Sequence, residues 1–532
     1  MIEVLLNKPE FEYDIHSLIK AFFPEQYVGV SAEKKEYDEK IDIRMQVNYG
    51  EDTIQITWQE IVHANEDVQA NEKLDQEKVD VKAGQKPGQE KVNVKAGQKP
   101  GQEIVKEIPG GTIHVDFSDR VQTKNHLKQM LYRMLCDYTK RTLPWGNLTG
   151  IRPTKIPMKL LEEGKSRDEI YRCMKDTYFA SDEKIELATD IAERENAILK
   201  KIDYDNGYSL YIGIPFCPTT CLYCSFTSYP LVSWKNRVDA YLDALEKEID
   251  YTAAKFYHKH LNSIYIGGGT PTTLEPYQLD RLIRKIKCSF DLSDCLEFTV
   301  EAGRPDSITR EKLEVLRKWG ITRISINPQT MQQRTLDLIG RHHSVEQTVE
   351  SFKIARELGF DDINMDLIMG LPEESLEDVR DTLEQIMQLK PDNLTVHSLA
   401  LKRAARLNMF KEDYKDYKMV NTQEHMDLTA SYAKKMDLFP YYLYRQKGMA
   451  GNLENVGYAK EGKAGVYNIL IMEEKQTIVA CGAGASTKRV WNQPNPDGTH
   501  RIERCENVKD VGQYIERIDE MIERKQKLFA EE

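Results

Sequence analysis

Among the 532 residues there is no apolar run of the roughly 18 that a membrane helix needs. There is no surplus of basic charge either. Net charge is −12, which argues against a chain whose main task is gripping nucleic-acid phosphates. Cysteine is scarce and odd in number, nine in all. That argues against a secreted disulfide framework and for a reducing, cytoplasmic setting. The opening residues, MIEVLLNKPEFEYDI, carry acidic side chains and no basic n-region, so no signal peptide is expected.

What is present points to several domains, since a chain this long exceeds one hydrophobic core. Residues 1–150 read as an α/β domain. "DTIQITWQEI" (52–61) and "GTIHVDFS" (111–118) alternate like strands, and "KNHLKQMLYRMLCDYTKRT" (124–142) has helical spacing. Between those strands lies a tandem repeat, EKVDVKAGQKPGQ (77–89) and EKVNVKAGQKPGQ (90–102). Its Lys, Gly, Gln and Pro content cannot build a core, so a mobile loop insertion is expected at 77–102. "LPWGNLTGIRPTK" (143–155) marks a boundary. A helical connector, 151–205, with two amphipathic helices, is expected next.

From residue 206 to 402 short apolar strands alternate with helical segments. The strands are "YSLYIGIPF", "SIYIGGGT", "LEFTVEAG", "RISINPQT", "DINMDLIMGLP" and "NLTVHSLAL". Strand–helix units in series require a parallel sheet, because each return needs a crossover. Six units suit a partial (β/α)6 barrel rather than a closed eight-fold one. Residues 403–532 read as a C-terminal α/β extension that covers the substrate.

Three of the nine cysteines stand in one loop, "CPTTCLYC", as Cys217, Cys221 and Cys224. The loop follows the first strand of the barrel, where active sites of such folds gather. Three thiolates at this spacing can hold three irons of a [4Fe–4S] cube and leave the fourth open for a ligand. The rival is zinc, completed by His258 or His260 from the helix that follows. "GGGTPT" (267–272) ends the second strand and offers backbone N–H groups to a ligand. It lacks the following Lys–Ser/Thr of a P-loop. Taken alone, Glu301 is a solvated loop residue. Asp366, in an apolar strand, needs a partner, and an ion pair with Arg341 is the simplest.

The C-x3-C-x2-C loop, with aromatic Tyr223 before its last cysteine, resembles the radical S-adenosylmethionine (SAM) superfamily. "YIGIPFC" and "IGGGTPTTL" resemble its oxygen-independent coproporphyrinogen III oxidases. With "LTGIRPTK" and "YRQKGMAGNLENVGYA", the pattern resembles the HemZ branch most. The resemblance implies that Cys217, Cys221 and Cys224 hold the cluster. It implies that the open iron takes the amino and carboxylate groups of SAM, which one electron cleaves to a 5′-deoxyadenosyl radical. It implies SAM contacts at Tyr211, Tyr223, Gly268, Gly269, Thr270, Glu301, Gln329, Arg341, Asp366 and Ala400, with room for a second copy of SAM. Catalytic roles would fall to Tyr211, Glu301 and Gln446. The implied substrate is a porphyrinogen, and the implied electron donor is of flavodoxin or ferredoxin type.

Two positions depart from the best-studied oxidases. Phe226 stands where they carry a further cysteine, and Gly213 where they carry a histidine. Phe226 resembles the haem-chaperone branch, which keeps the cluster without the decarboxylase activity. Three readings stay open here: the decarboxylase, a haem chaperone on the same scaffold, and a non-radical metal module. A tetra-anionic substrate on an acidic protein needs local cations. The candidates are Lys402, Arg403, Arg406, Arg445, Lys447, Lys488 and Arg489.

Overall fold

The computed structural model describes residues 1–33, 35, 37, 39–62, 104–400, 402, 405–410, 412–414, 416–446, 453–495 and 500–530. The repeat at 77–102, Arg403 and Lys447 lie outside the described residues. The chain divides into two compact units. One is residues 1–149 with 175–181, and the other is 150–174 with 182–532.

In the first unit β1 (Ile2–Leu6), β2 (Val28–Ser31), β3 (Ile43–Tyr49), β4 (Thr53–Val62) and β5 (Ile104–His114) form one sheet in the order β2-β1-β3-β4-β5. Strict alternation in β3 and β4 buries Met45, Val47, Ile54, Ile56 and Trp58 on one face. Helices Glu12–Phe22 and Arg120–Thr139 cover that face through Ile15, Leu18, Leu127 and Leu131. The second helix starts at Asp119, whose side chain accepts from the Gln122 N–H.

Three helices follow, Lys155–Glu162, Arg167–Tyr178, whose last four residues count with the first unit, and Asp182–Leu199, where the sequence suggested two. The first is only eight residues long, too short to stand out by periodicity. Next come β6 (Gly207–Ile214) and the two-residue strands β7 (Phe216–Cys217) and β8 (Tyr229–Pro230), which pair with each other. Then follow β9 (His260–Gly268), β10 (Glu297–Gly303), β11 (Arg323–Ile326), β12 (Ile363–Met369) and β13 (Asn393–Ser398).

Strands β6 and β9 to β13 are mutually parallel and adjacent in chain order, the expected (β/α)6 array. Their returns run through helices Val238–Lys255, Pro276–Ser289, Arg310–Lys318, Val345–Glu357 and Leu376–Leu389. Each helix buries one apolar stripe, such as Leu279, Leu282, Ile283 and Ile286.

The C-terminal residues do not stand apart from this sheet. β14 (Phe439–Tyr444) and β15 (Asn455–Ala459) extend it beyond β13, β15 running antiparallel to that strand. β16 (Thr477–Cys481) joins the opposite edge, parallel to β6, followed by β17 (Ser486–Pro494) and β18 (His500–Glu506). Both edges of the array are thus paired, which removes the exposed edges an open parallel sheet would leave at β6 and β13. The last helix, Ile518–Leu528, is locked down by a fully buried ion pair between Lys525 and Glu248. The Glu248 carboxylate also accepts from Tyr514 Oη (2.6 Å), the Gly482 N–H (2.8 Å) and Asn507 Nδ2 (2.7 Å). No described helix is long and apolar enough to cross a membrane.

Candidate functional site

The parallel strands have two unlike faces. Ile264, Val300, Ile324, Met365, Leu367, Leu394 and Val396 are buried. The residues between them line a cavity: Tyr265 on β9, Thr299 and Glu301 on β10, Arg323 and Ser325 on β11, Asn364 and Asp366 on β12, Thr395 and His397 on β13. The two-residue side-chain period separates a hydrocarbon face from a polar one. The cavity measures about 320 Å³, within the range of small-molecule sites.

The cysteine loop closes one end. It is held by backbone and side-chain bonds on every side. Leu222 N–H donates to Ile339 O (3.0 Å), Thr219 Oγ1 to Gly340 O (3.0 Å), and Leu407 N–H to Leu222 O (3.0 Å). Gly269 N–H donates to Ile214 O (2.8 Å) and Thr270 N–H to Phe216 O (2.7 Å). A Cβ at Gly269 would lie 2.5 Å from Phe216 O and 3.0 Å from Cys217 Sγ, so only glycine lets this strand end lie against the loop.

Cys217, Cys221 and Cys224 all line the cavity as free thiols. Burial pushes the Cys217 thiol up and the Cys224 thiol up to about 11. A bound cation is what would hold them as thiolates. Among the described residues no three His, Cys, Asp or Glu side chains converge closely enough to hold a single metal ion. A cube makes a different demand, one thiolate to each of three irons. The zinc alternative loses its fourth ligand here. His260 opens β9, at the other end of the strand from Gly268, and pairs with Asp294 at 2.5 Å. His258 precedes it in the connection from the helix ending at Lys255, exposed to solvent.

The structure brings together in this cavity Tyr223, Gly268, Gly269, Thr270, Glu301, Gln329, Arg341, Asp366, Ala400 and Gln446. Tyr211 and Gly213 are not among its lining residues. The Tyr211 ring stacks against its register partner Tyr265 (6.3 Å between centroids) and against Tyr467 (6.4 Å). Glu301 accepts a short hydrogen bond from Tyr265 Oη. Burial raises its carboxyl to about 7, against the opposing pull of that phenol.

Asp366 does not take Arg341 as its ion-pair partner. Its Oδ2 faces His397 Nε2 at 3.8 Å, and Asn364 Nδ2 donates to its Oδ1 at 2.7 Å. Burial pushes this carboxyl up, but His397, Asn364 and Thr395 outweigh it and hold it below the usual carboxylate value. Tyr444 Oη lies 3.4 Å from His397 Nδ1, which extends the chain to a C-terminal strand.

Gln329 has φ 72°, a left-handed conformation that costs energy in a non-glycine residue. It is held there by a parallel bridge to β12 on either side of Leu367, Gln329 N–H to Asp366 O and Ile368 N–H to Gln329 O, each 2.9 Å. Its buried Oε1 and the buried Nε of Arg341 have no hydrogen-bond partner in the protein. Both residues line the cavity, so a polar ligand there would satisfy them. With three free cysteines at one end, the residues fit a cluster with a zwitterionic ligand beside it.

Sequence reasoning did not single out Tyr265, Arg304, Arg323, His397 or Tyr444 as site residues. The available signal was the alternation in "INMDLIM" and "NLTVHS", which sets Asn364, Asp366, Thr395 and His397 on one face. Of the candidate cations, Lys402 lines the cavity, its Nζ 5.7 Å from the centre of the exposed Phe226 ring. Lys488 instead bonds Ile471 O (3.2 Å) and Glu474 (3.4 Å), and Arg489 bonds Leu528 O (2.5 Å).

Comparison with known proteins agrees with this geometry. The radical SAM superfamily pattern matches residues 211–386. Its members bind a [4Fe–4S] cluster and SAM. The oxygen-independent coproporphyrinogen-III oxidase-like protein HemZ of Bacillus subtilis is 42% identical over 414 residues, 77% of this chain and 82% of HemZ. The heme chaperone HemW of the same organism is 42% identical over 195 residues, 36% of this chain and 50% of HemW. The structure of Escherichia coli coproporphyrinogen III oxidase, HemN, aligns with 62% of this chain and 73% of its own, at 24% identity and a TM-score of 0.47. Identity at this level across most of HemZ shows that the chain belongs to the oxygen-independent coproporphyrinogen-III oxidase-like family of the radical SAM superfamily.

Proposed function

We propose that the protein is a coproporphyrinogen dehydrogenase, turning two propionates of coproporphyrinogen III into vinyl groups with release of carbon dioxide. The observation that carries this reading is the charge of the cavity wall. Arg341 and Lys402 line it together with Arg304 and Arg323, which are held by Asp306 and Asp362, so its four cations outnumber its two carboxylates, Glu301 and Asp366, in a protein of net charge −12. A substrate with four carboxylates has reason to enter such a place, and guanidinium forks suit carboxylates. Identity to HemZ over most of the chain supports the same reading.

When bound, the cluster and SAM would supply the radical that takes a propionate β-hydrogen; carbon dioxide then leaves, and the remaining electron passes to a one-electron acceptor. The chain's own residues position and shield. Cys217, Cys221 and Cys224 hold the cluster. Gly268, Gly269 and Thr270 would set a backbone edge against SAM, and Glu301 would accept a hydrogen bond from its amino group. Gln329 and Arg341 offer their unpartnered polar atoms, while Asp366, Tyr223 and Ala400 complete the wall. Gln446 and Lys402 stand toward the substrate. Tyr211 supports Tyr265 by stacking and so acts through it. A small electron-transfer protein of flavodoxin or ferredoxin type supplies the electron.

A second reading, a haem chaperone, is favoured by one observation. Phe226 is 72% exposed on the cavity lining, an apolar face beside the cluster loop. The deciding experiment is an anaerobic assay of the reduced, cluster-loaded protein with SAM and coproporphyrinogen III, analysed for mono- and divinyl products. Vinyl products formed in step with SAM cleavage are expected. Deoxyadenosine release without them, together with stoichiometric haem binding, would establish the chaperone.

A further inference from the structure

We infer that Arg304 is a positioning residue that tunes the reduction potential of the cluster through a hydrogen bond to Cys221. Arg304 follows β10 and is 3% exposed. Asp306 holds its fork from one side, accepting from Nε at 3.0 Å and from Nη2 at 2.7 Å. The remaining nitrogen, Nη1, is thereby aimed at the cysteine loop. It reaches Thr219 O (3.1 Å), Thr219 Oγ1 (2.8 Å) and Cys221 Sγ (3.6 Å). Among the described residues no other cation donates a hydrogen bond to one of the three cysteine sulfurs; their other partners are neutral, the Thr270 hydroxyl 3.5 Å from Cys217 Sγ, the Ser228 hydroxyl at Cys217 and the Phe226 N–H at Cys224.

The physical consequence has a sign. One-electron reduction makes the cluster more negative. A cationic N–H donor to a ligand sulfur stabilises the reduced form more than the oxidised one, so it raises the midpoint potential. Asp306 opposes this, because its negative charge offsets part of the guanidinium's. The two residues thus set the potential in opposite directions, and their geometry is fixed by a short Arg-Pro-Asp stretch at one strand end. A residue that only pinned the loop would have no such sign.

The inference rests on the three cysteines holding the cluster, so the experiment reads the two separately. Full-length protein is loaded anaerobically with iron and sulfide. Iron content and absorption report whether the cluster is present, and a redox titration followed by electron paramagnetic resonance reports its midpoint. Arg304→Gln is expected to keep the cluster and lower the midpoint. Asp306→Asn is expected to keep it and raise the midpoint. Full iron content with both midpoints unmoved, or moved in the same direction, would overturn the inference and leave Arg304 as a clasp for Thr219. If Arg304→Gln retains no iron, Asp306→Asn decides alone: a raised midpoint upholds the inference and an unmoved one overturns it. A wild-type protein that takes up no cluster overturns the cluster reading, and this one with it.

Discussion

The phenol of Tyr265 on β9 donates to the carboxylate of Glu301 on the neighbouring strand β10. The carboxyl titrates at about 7, raised mainly by burial. SAM carries positive charge on its sulfonium, and its amino N–H groups donate to a carboxylate. Its affinity should therefore strengthen between pH 6 and pH 8 as Glu301 ionises. Equilibrium dialysis across that range should show the rise in wild type and a flat profile in Glu301→Gln. Tyr265→Phe removes a donor that favours ionisation, so its rise should move to higher pH.

The same group links pH to stability with the opposite sign. Its folded pKa lies above the ordinary carboxyl value of 4.5. Its stabilising contribution is full below that value and is lost as pH rises through about 7. Ligand-free wild type should lose denaturant resistance between pH 5 and pH 8 relative to Glu301→Gln. Parallel curves for the two proteins would refute the shift.

Each of Cys217→Ala, Cys221→Ala and Cys224→Ala should abolish the cluster and SAM cleavage, because three protein ligands leave no spare. Cys136, Cys173, Cys288, Cys295, Cys481 and Cys505 should be individually dispensable for iron binding. Iron analysis after reconstitution checks both halves of this statement.

Asp366→Asn should weaken SAM binding by roughly 10–100-fold, the cost of a lost charge-assisted hydrogen bond. Its effect on the denaturant midpoint should be the smaller one, since Asn364 and His397 reach it from the cavity side. Lost stability with unchanged SAM affinity would make Asp366 a structural residue instead.

Lys525→Met leaves the Glu248 carboxylate buried without its cation. We expect a loss of about 3–5 kcal/mol of stability, the usual consequence of breaking a buried pair from one side. A denaturant midpoint within experimental error of wild type would show that Tyr514, Asn507 and the Gly482 N–H carry the charge unaided.

Sequence by itself determined the six parallel strands, because each carries a short apolar run and each is followed by a segment of helical period. It also determined the three-cysteine loop and the glycine edge, since chemistry that needs three thiols and a bare backbone leaves a local signature. Those residues are consecutive or nearly so, and no distant contact is needed to see them.

Tertiary structure alone decided the rest, because it depends on contacts between positions far apart in the chain. Asp366 pairs with His397 rather than Arg341 because β12 and β13 are neighbours in register, setting the two carboxylate oxygens beside residues 364 and 397. The C-terminal strands read as a separate extension, yet they pair with β6 and β13, since unsatisfied strand edges accept whatever backbone reaches them. Tyr211 stands at a family interval and shares the sheet face of its register partner Tyr265, but stacking against Tyr265 and Tyr467 leaves it outside the residues that line the cavity. Arg304 reached Cys221 because Asp306 turned its fork, an orientation that no spacing in the sequence records.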